Sequence, residues 1–290
     1  MTVDQFFEAL LKLSGLIFVV SSMLAMGLSL TVPQIVEPLR NPVRVALALV
    51  ANFVLVPILA VVIGKGFGLD QALQSGLIIL ATAAGAPFLP KLVQGAKGDI
   101  AFGVGLMVLL MVVTIVYLPI VLPILLPGVT VDSWSIAVSL IVVMLIPLAI
   151  GLLVKSTWPD DAIHWQPLFA KTSSLAILVL LVVGLGLNVS NILALIGTGG
   201  LLALLLFVVG SMVIGFGLGG RKPADRSVML LGTTFRNVSA ALVVAAGNFS
   251  GTATLPFILV GALILLLVTL PAAKVLARRE EAAATGPNGP

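Results

Sequence analysis

The sequence predicts an all-α membrane protein with nine transmembrane helices in the inverted-repeat architecture of a secondary transporter. Of its 290 residues, 60% are hydrophobic and only 9% are charged, with a mean hydropathy of +1.26, whereas a soluble domain carries about 25% charged residues. Apolar runs of about 20 residues, long enough to cross a bilayer as a helix, recur along nearly the whole chain. Two runs contain polar interruptions at corresponding places in the two halves, which is typical of inverted-repeat transporters.

Charged or Pro/Gly-rich segments separate the apolar runs from one another. Because irregular backbone cannot face lipid, each run is predicted to be helical. The predicted spans cover roughly 8–31, 43–64, 71–94, 99–126, 133–154, 169–188, 192–219, 226–248 and 252–276.

All nine spans are assigned to a single transmembrane domain, residues 1–279. Its first repeat covers about 8–126 and its second about 133–276. A pair of five-helix repeats has ten helices, so the first helix of the pair is expected to be missing. The small and polar residues of 280–290 predict a disordered cytoplasmic tail.

The orientation follows from the distribution of basic residues. The first span begins with Asp4, Glu8 and Lys12, and this negative balance favours a retained helix over a cleaved signal peptide. With the N-terminus outside, eleven Lys and Arg residues fall on the cytoplasmic side and two outside, which is a strong positive-inside bias. The C-terminus is then cytoplasmic. A plasma (inner) membrane is expected, and an organelle membrane stays open.

Composition excludes several classes of function. With no Cys and one His, the chain cannot form a disulfide framework or a Cys/His metal site, so neither a metal nor a cofactor is predicted. The net charge of +4 comes from basic residues at span ends, which indicates topology rather than nucleic-acid binding. All eleven acidic residues fall in loops, tails or span ends. That placement argues against an intramembrane enzyme and against a carboxylate proton relay. His164 is predicted to be a solvated loop residue.

Arg236 is the main exception to the apolar pattern, since it lies about ten residues into the eighth span. An Arg at a helix centre costs about 2.5–3.5 kcal/mol on insertion scales, so it must face protein or a wet cavity, with anions or carbonyl groups nearby. A snorkelling or structurally paired Arg is the alternative. A functional role is favoured because no mid-membrane carboxylate is available as a partner.

The third span contains Pro87 and Pro90, followed by Lys91. Each proline removes an N–H donor and restricts the residue before it, so this helix is predicted to break. A simple proline kink with a snorkelling Lys91 remains an alternative. Asn52, in the second span, is a weaker polar candidate that is also compatible with an ordinary hydrogen-bonded Asn.

Short motifs in a consistent order resemble the bile acid:sodium symporter family over roughly residues 15–278. The motifs are Gly27-Leu28-Ser29-Leu30, Asn52 before Pro57, Ala96-Lys97-Gly98-Asp99-Ile100-Ala101, and Phe235-Arg236-Asn237-Val238-Ser239-Ala240-Ala241-Leu242. The resemblance implies a ten-helix fold, or nine helices when the first is absent. It also implies a panel domain, a core domain with two crossing broken helices, and transport of organic anions with Na⁺.

The departures from this family concern the sodium ligands. The resemblance implies a Ser-Asn pair where Leu89 and Pro90 stand, and a Glu and a Gln where Gly232 and Arg236 stand. Asn237, with Asn52 in place of a Gln, is left as a polar oxygen donor. Both sodium sites are therefore predicted to be dismantled, although Na⁺ stays open as a partner.

The sequence thus predicts a transporter in which Arg236 and Lys91 provide fixed positive charge that attracts a small organic anion. The arsenite exporters, a related branch, are disfavoured because their membrane cysteine is absent. A non-transporting sensor or scaffold with a ligand cavity stays open, as does the oligomeric state. The predicted site residues are Asn52, Pro87, Phe88, Pro90, Lys91, Thr233, Thr234, Phe235, Arg236 and Asn237.

Overall fold

The computed structural model describes residues 3–127, 132–187 and 189–285, and these segments form helices and connecting turns without a strand. Apolar side chains at nearly every position of the spans explain the helices, because backbone groups in lipid must be paired within their own segment. The helices are α1 Val3–Ser29, α2 Val32–Val36, α3 Pro42–Val50, α4 Val56–Gly66, α5 Gln71–Thr82, α6 Leu89–Gly95, α7 Ile100–Leu125, α8 Ser133–Leu140, α9 Ile146–Thr157, α10 Pro159–Leu187, α11 Val189–Ala194, α12 Gly200–Leu218, α13 Pro223–Thr234, α14 Val238–Asn248 and α15 Thr254–Thr285.

The predicted all-α membrane class is confirmed. Within the described residues, eight helical stretches are long and apolar enough to cross a membrane. The third predicted span is divided into α5 and α6, so neither piece reaches that length, and the exact count of nine spans stays a prediction. The eighth predicted span is also interrupted, between α13 and α14, but Pro223–Asn248 as a whole is one of the eight stretches.

Three predicted boundaries are wrong. The loop assigned to His164 is the first part of α10, in which His164 Nδ1 lies 2.7 Å from the Asp160 carbonyl oxygen. The seventh span starts at Gly200 because a short helix and a turn precede it. The tail predicted to be disordered from residue 280 is helical to Thr285, because its Glu and Ala residues are strong helix formers. The rest of that tail lies outside the described residues.

Two spans contain a π-helical turn immediately before a proline. Residues Ala51–Leu55 precede Pro57, and Ile141–Leu145 precede Pro147. A proline cannot bond to the carbonyl four residues earlier, and a wider turn accommodates that lost bond. The unpaired carbonyl of Phe53 accepts a hydrogen bond of 2.6 Å from the Tyr117 hydroxyl. The span therefore continues past the proline with its backbone satisfied.

The helices form two groups. The panel helices are defined here as α1, α8, α9 and α10. Of these, α1, α9 and α10 pack on one another, whereas α8 leads through a π-helical turn into α9 and also contacts α7 of the core. At the contact between α1 and α9, a Cβ on Gly27 would lie only 2.8 Å from the Gly151 Cα, so the two backbones touch. The core helices, α3 to α7 and α12 to α15, enclose both interrupted spans. The two groups meet through α14, which contacts α1 and α8, and through α15, which contacts α10.

Candidate functional site

The two interrupted spans cross where α5 and α13 end. The first break covers residues 83–88 and the second covers 235–237. The Asn237 backbone N–H donates to the Ala83 carbonyl at 2.8 Å, and Asn237 Nδ2 donates to the Gly85 carbonyl at 3.0 Å. One residue of the second break thus satisfies two carbonyl groups that the first break leaves without helical partners.

A hydroxyl on α7 satisfies the remaining part of the first break. Thr114 Oγ1 accepts a hydrogen bond from the Ala84 N–H at 3.0 Å and donates to the Ala84 carbonyl at 3.1 Å. Gly85 has a φ of +78°, a conformation that favours glycine. A Cβ there would lie 2.6 Å from the Met111 Cα. The unwound segment is therefore held tightly against α7.

Arg236 lies at the centre of the crossing and is completely buried. Its Nε donates to the Leu80 carbonyl at 3.1 Å, and its Nη2 donates to the Ala81 carbonyl at 2.6 Å. Its Nη1 donates to the Thr233 carbonyl at 3.1 Å and to Asn52 Oδ1 at 2.7 Å. The guanidinium thus joins the C-terminal ends of α5 and α13, where carbonyl groups concentrate partial negative charge.

Asn52 is positioned by the π-helical turn of the second span. Its Nδ2 donates to the Ala48 carbonyl at 3.0 Å and lies 3.4 Å from Thr233 Oγ1. With its amide group held on that side, its carbonyl oxygen is presented to Arg236. The sequence-based hypothesis that Arg236 has carbonyl groups nearby agrees with this geometry, and its partners are neutral oxygens rather than a carboxylate.

A cavity of about 380 Å³ lies beside the crossing, between the core helices and the panel helices. The core contributes the two breaks, the first turns of α6 and α14, and part of α15. The panel contributes the last turns of α1 and the middle of α10. Most of the lining is apolar. The polar side chains on the panel side are Ser22, Ser29, Gln166, Ser173 and Ser174.

Lys91 and Ser239 are polar side chains of the core that border this cavity and have no hydrogen bond or ion pair with any residue that the structure describes. Lys91 is exposed, and its Nζ lies 5.9 Å from the centroid of the Phe88 ring. Ser239 is 1% exposed. Within the described residues, its Oγ is the buried side-chain polar atom that has no hydrogen-bond partner. A buried hydroxyl without a partner is costly, which marks a position that a ligand can complete.

The structure divides the predicted site residues between the crossing and the cavity. Asn52, Thr233, Arg236 and Asn237 meet at the crossing. Thr234 is buried, and its hydroxyl donates to the Leu230 carbonyl within its own helix. The residues that border the cavity are Pro87, Phe88, Pro90, Lys91, Phe235 and Arg236, although no part of Arg236 is accessible.

Sequence reasoning missed Thr114, Ser239 and the polar residues of the panel. Thr114 has a signal in the sequence, because it and Tyr117 are the two polar residues of α7. Ser239 and the panel serines resemble any Ser in a membrane helix. Their role depends on which faces the packing brings together.

A crossing of two interrupted helices beside an open cavity defines this molecule as a secondary-transporter type of membrane protein. The comparison with known families agrees. Residues 16–195 match the model of the Sodium Bile acid symporter family, and the chain belongs to that family. Its members are transporters rather than enzymes.

Curated relatives are distant. A probable sodium/metabolite cotransporter BASS3, chloroplastic, from Arabidopsis thaliana is 24% identical over 216 residues, which cover 72% of this chain and 50% of the relative. The corresponding protein of Oryza sativa subsp. japonica is 25% identical over 67% of this chain and 46% of the relative. A probable sodium/metabolite cotransporter BASS2, chloroplastic, from the same rice is 28% identical over 47% of this chain and 33% of the relative. The chain thus spans about half the length of these relatives, or less.

Proposed function

We propose that this chain is a secondary transporter of small organic anions that works without sodium coupling. The observation that carries this proposal is the buried guanidinium of Arg236, which makes four hydrogen bonds to oxygen atoms at the helix crossing. In transporters with interrupted helices, unwound carbonyl groups and the C-terminal ends of half-helices coordinate the coupling cation. In this chain the guanidinium of Arg236, a cation that is part of the protein, binds to oxygen atoms of the same kind.

The second sodium position implied by the family resemblance is also filled. The resemblance assigns a Glu to position 232 and a Ser to position 89. In this chain Gly232 packs against Leu89 and Leu106, whose methyl groups would lie 3.1–3.2 Å from a Cβ at position 232. A hydrated cation loses its water ligands only where oxygen atoms replace them. An apolar contact of this kind cannot do so.

A fixed cation changes the energetics of transport. A bound Na⁺ can dissociate on the far side of the membrane and thereby couple the substrate to the sodium gradient. The guanidinium of Arg236 cannot leave, so no sodium gradient is coupled through this position. The remaining modes are facilitated diffusion, exchange or movement driven by the membrane potential. We propose that the core helices rock against the panel helices during the cycle.

The cavity lining defines the class of substrate. Lys91 provides an accessible positive charge, and Ser239 provides a hydroxyl that has no hydrogen-bond partner among the residues that the structure covers. The rings of Phe88 and Phe235 lie 5.7 Å apart and form an apolar wall next to these groups. A small carboxylate with an apolar tail matches this arrangement, because its charged end and its apolar end would both find complementary surface.

The orientation follows from the positive-inside bias. With the N-terminus outside, the ends of α1 and α6 and the start of α10 lie on the cytoplasmic side. The cavity is bordered by the last turns of α1, as far as Ser29, so we propose that it opens toward the cytoplasm. At the opposite end, the Asp132 N–H donates to Asn248 Oδ1 at 3.2 Å, which joins the panel and the core. We propose the plasma membrane as the location, although the curated relatives carry chloroplastic names.

The test is sodium substitution in reconstituted protein. Small monocarboxylates with apolar tails are first screened by thermal shift in detergent, and the most stabilising compound is then used, isotope-labelled, for uptake into proteoliposomes. Replacing NaCl by KCl or choline chloride is expected to change uptake by less than twofold. A strict sodium requirement would overturn the proposal of sodium independence.

Matched charge variants separate substrate binding from general effects. Lys91→Gln is expected to weaken binding of the same monocarboxylate at least tenfold. Lys65→Gln removes the same charge from an exposed position at the end of α4 and is expected to leave binding unchanged. Equal losses in both variants would contradict the role of Lys91. Tight binding without any flux would contradict transport and identify a sensor.

A further inference from the structure

A second cavity, of about 360 Å³, lies at the other side of the core, where α3 begins and where α12 turns into α13. Its floor is apolar and includes Leu47, Phe102 and Met229. Its rim is basic and consists of Arg44, Arg221 and Lys222. We name it the α3–α13 cleft. It is separate from the cavity between core and panel, since the two share no lining residue.

The single carboxylate of the cleft is already neutralised. Arg44 Nη2 lies 2.6 Å from Asp225 Oδ2, and the Arg44 guanidinium also stacks 5.6 Å from the centroid of the Phe102 ring. Asp225 is 7% exposed. Because this ion pair is internal, it contributes no net charge to the rim. It holds the starts of α3 and α13 together.

Arg221 and Lys222 supply the net positive charge. Both are exposed, and within the described ranges neither has a carboxylate within ion-pair distance. They follow Gly220, whose φ of +74° makes the sharp turn that presents them. The neighbouring Arg226 is occupied elsewhere, because its Nη2 and Nε donate to the Gly220 carbonyl at 2.7 and 3.1 Å.

We propose that the α3–α13 cleft binds the phosphate-bearing headgroup of an anionic phospholipid. Two unpaired cationic side chains match a phosphate, and basic pockets between helices at the cytoplasmic face bind such headgroups. The apolar floor distinguishes a lipid from free phosphate, because it can cover the start of an acyl chain. Exposed apolar residues continue outward from the cleft, among them Val43 and Phe216, so an acyl chain has a path along the helix surface.

A lipid at this position would act on the crossing at a distance. The helices α3 and α13 are joined at their starts by Arg44 and Asp225, and farther along the spans by Asn52 with Arg236. A headgroup that contacts both helices favours the state in which the Arg44–Asp225 ion pair and the Asn52–Arg236 hydrogen bond are both formed. The lipid is therefore expected to stabilise the folded protein as well as bind to it. This inference does not depend on the proposed transport activity.

The experiment uses the full chain purified in detergent and titrated with phosphatidylglycerol or phosphatidylcholine in mixed micelles. Binding is followed by native mass spectrometry and by the melting temperature. Phosphatidylglycerol is expected to bind and to raise the melting temperature, whereas phosphatidylcholine is expected to do neither. In the double variant R221Q/K222Q, affinity for phosphatidylglycerol is expected to fall about tenfold, since each basic residue near an anionic surface contributes to attraction.

The control removes the same charge from the same end of the molecule. Arg278 and Arg279 are exposed on α15, outside the cleft, so R278Q/R279Q is expected to keep the phosphatidylglycerol effect. An equal loss in both double variants would overturn the proposal in favour of general surface attraction. Full competition by inorganic phosphate would overturn the lipid assignment, and equal binding of phosphatidylcholine would overturn the role of charge.

Discussion

The crossing and the cavity are neighbouring regions that differ in how far the hydrogen bonds of their polar groups are satisfied. At the crossing, Arg236, Asn237 and Thr114 pair with the backbone groups that the breaks release. In the cavity, Lys91 is accessible and the Ser239 hydroxyl has no partner in the described part of the chain. The first region is complete without a ligand. The second has polar groups that a ligand can satisfy.

This difference indicates that the crossing maintains the structure and that the cavity binds the ligand. Buried polar networks in which every member is satisfied specify one arrangement of the backbone. Polar groups left without partners in a concave site are typical of ligand binding. We therefore expect mutations at the crossing to act on stability and mutations in the cavity to act on binding. Substitutions in both regions can test that separation.

Gly85→Ala is expected to disrupt the crossing most severely. The new Cβ would lie 2.7 Å from the Met107 carbonyl oxygen and even closer to the Met111 backbone. The positive φ adds about 1–2 kcal/mol of strain. A total loss of about 4 kcal/mol is expected because the contacts are with backbone, which cannot rotate away. The measurement is the melting temperature and the yield of folded protein in detergent.

Gly68 provides the matched control for that variant. Its φ is +58°, yet a Cβ there would meet nothing within 4 Å. Gly68→Ala should therefore cost only the conformational strain, about 1–2 kcal/mol. If both variants lost the same stability, close packing at the crossing would not be the cause.

Arg236→Met is expected to cost about 3 kcal/mol. Four oxygen acceptors lose a charged donor, at about 1.5 kcal/mol or more each, while removal of a buried charge returns about 2.5–3.5 kcal/mol on insertion scales. The four lost hydrogen bonds therefore outweigh the return from removing the charge. The measurement is denaturant-induced unfolding in micelles. Arg236→Lys is the control, since it keeps the charge and loses the planar donor geometry.

A stable Arg236→Met variant would contradict the expectation that mutations at the crossing reduce stability. It would mean that the guanidinium costs as much as its hydrogen bonds contribute. If the variant keeps the stability of the original protein, the positive charge of Arg236, and not its hydrogen bonds, would explain why an Arg lies at the crossing. Melting of Arg236→Lys separates the two cases, because only a structural role predicts a clear loss there.

Thr114→Val removes the hydroxyl that serves both backbone groups of Ala84 while it keeps the side-chain shape. Hydrogen bonds between membrane helices contribute about 0.6 kcal/mol on average and about 1.7 kcal/mol at most. Two such bonds give an expected loss of about 1–3 kcal/mol, measured by unfolding in micelles. Thr114→Ser retains the hydroxyl and should lose less than Thr114→Val. A reversed order would assign the effect to packing instead.

The sequence predicted both interruptions because Pro and Arg are costly inside membrane helices and therefore conspicuous. It did not predict where the first break begins. The prolines at positions 87 and 90 suggested a break around them, yet α5 ends at Thr82 and Pro90 lies inside the first turn of α6. The freed carbonyls thus precede the prolines, at the positions that the second span reaches. The position of these carbonyls becomes apparent only from the three-dimensional structure, in which two segments distant in sequence cross.

The partners of Arg236 were also hidden from the sequence. Backbone carbonyls of Leu80 and Ala81 carry no sequence signal, because every residue has one. Asn52 was recognised as polar, but its contact with Arg236 spans 184 positions of the chain. By contrast, Lys91 was predicted correctly to lie near the break, because a Lys within an apolar run stands out in composition alone.

Ser239→Ala is the smallest change and separates the two regions most sharply. The Ser239 hydroxyl has no hydrogen-bond partner within residues 3–127, 132–187 and 189–285, so its removal eliminates an unsatisfied buried polar group and should leave stability unchanged or raise it by a few tenths of a kcal/mol. Binding of the monocarboxylate chosen by thermal shift should weaken about threefold to tenfold, since the ligand loses one hydrogen bond of about 0.5–1.5 kcal/mol.

Ser211→Ala is the matched control. That buried hydroxyl donates to the Phe207 carbonyl within α12, away from the cavity, and its loss should leave ligand affinity unchanged. Unaltered affinity in Ser239→Ala, or a clear loss of stability there, would mean that the hydroxyl belongs to the structural network and that the boundary between crossing and cavity lies elsewhere.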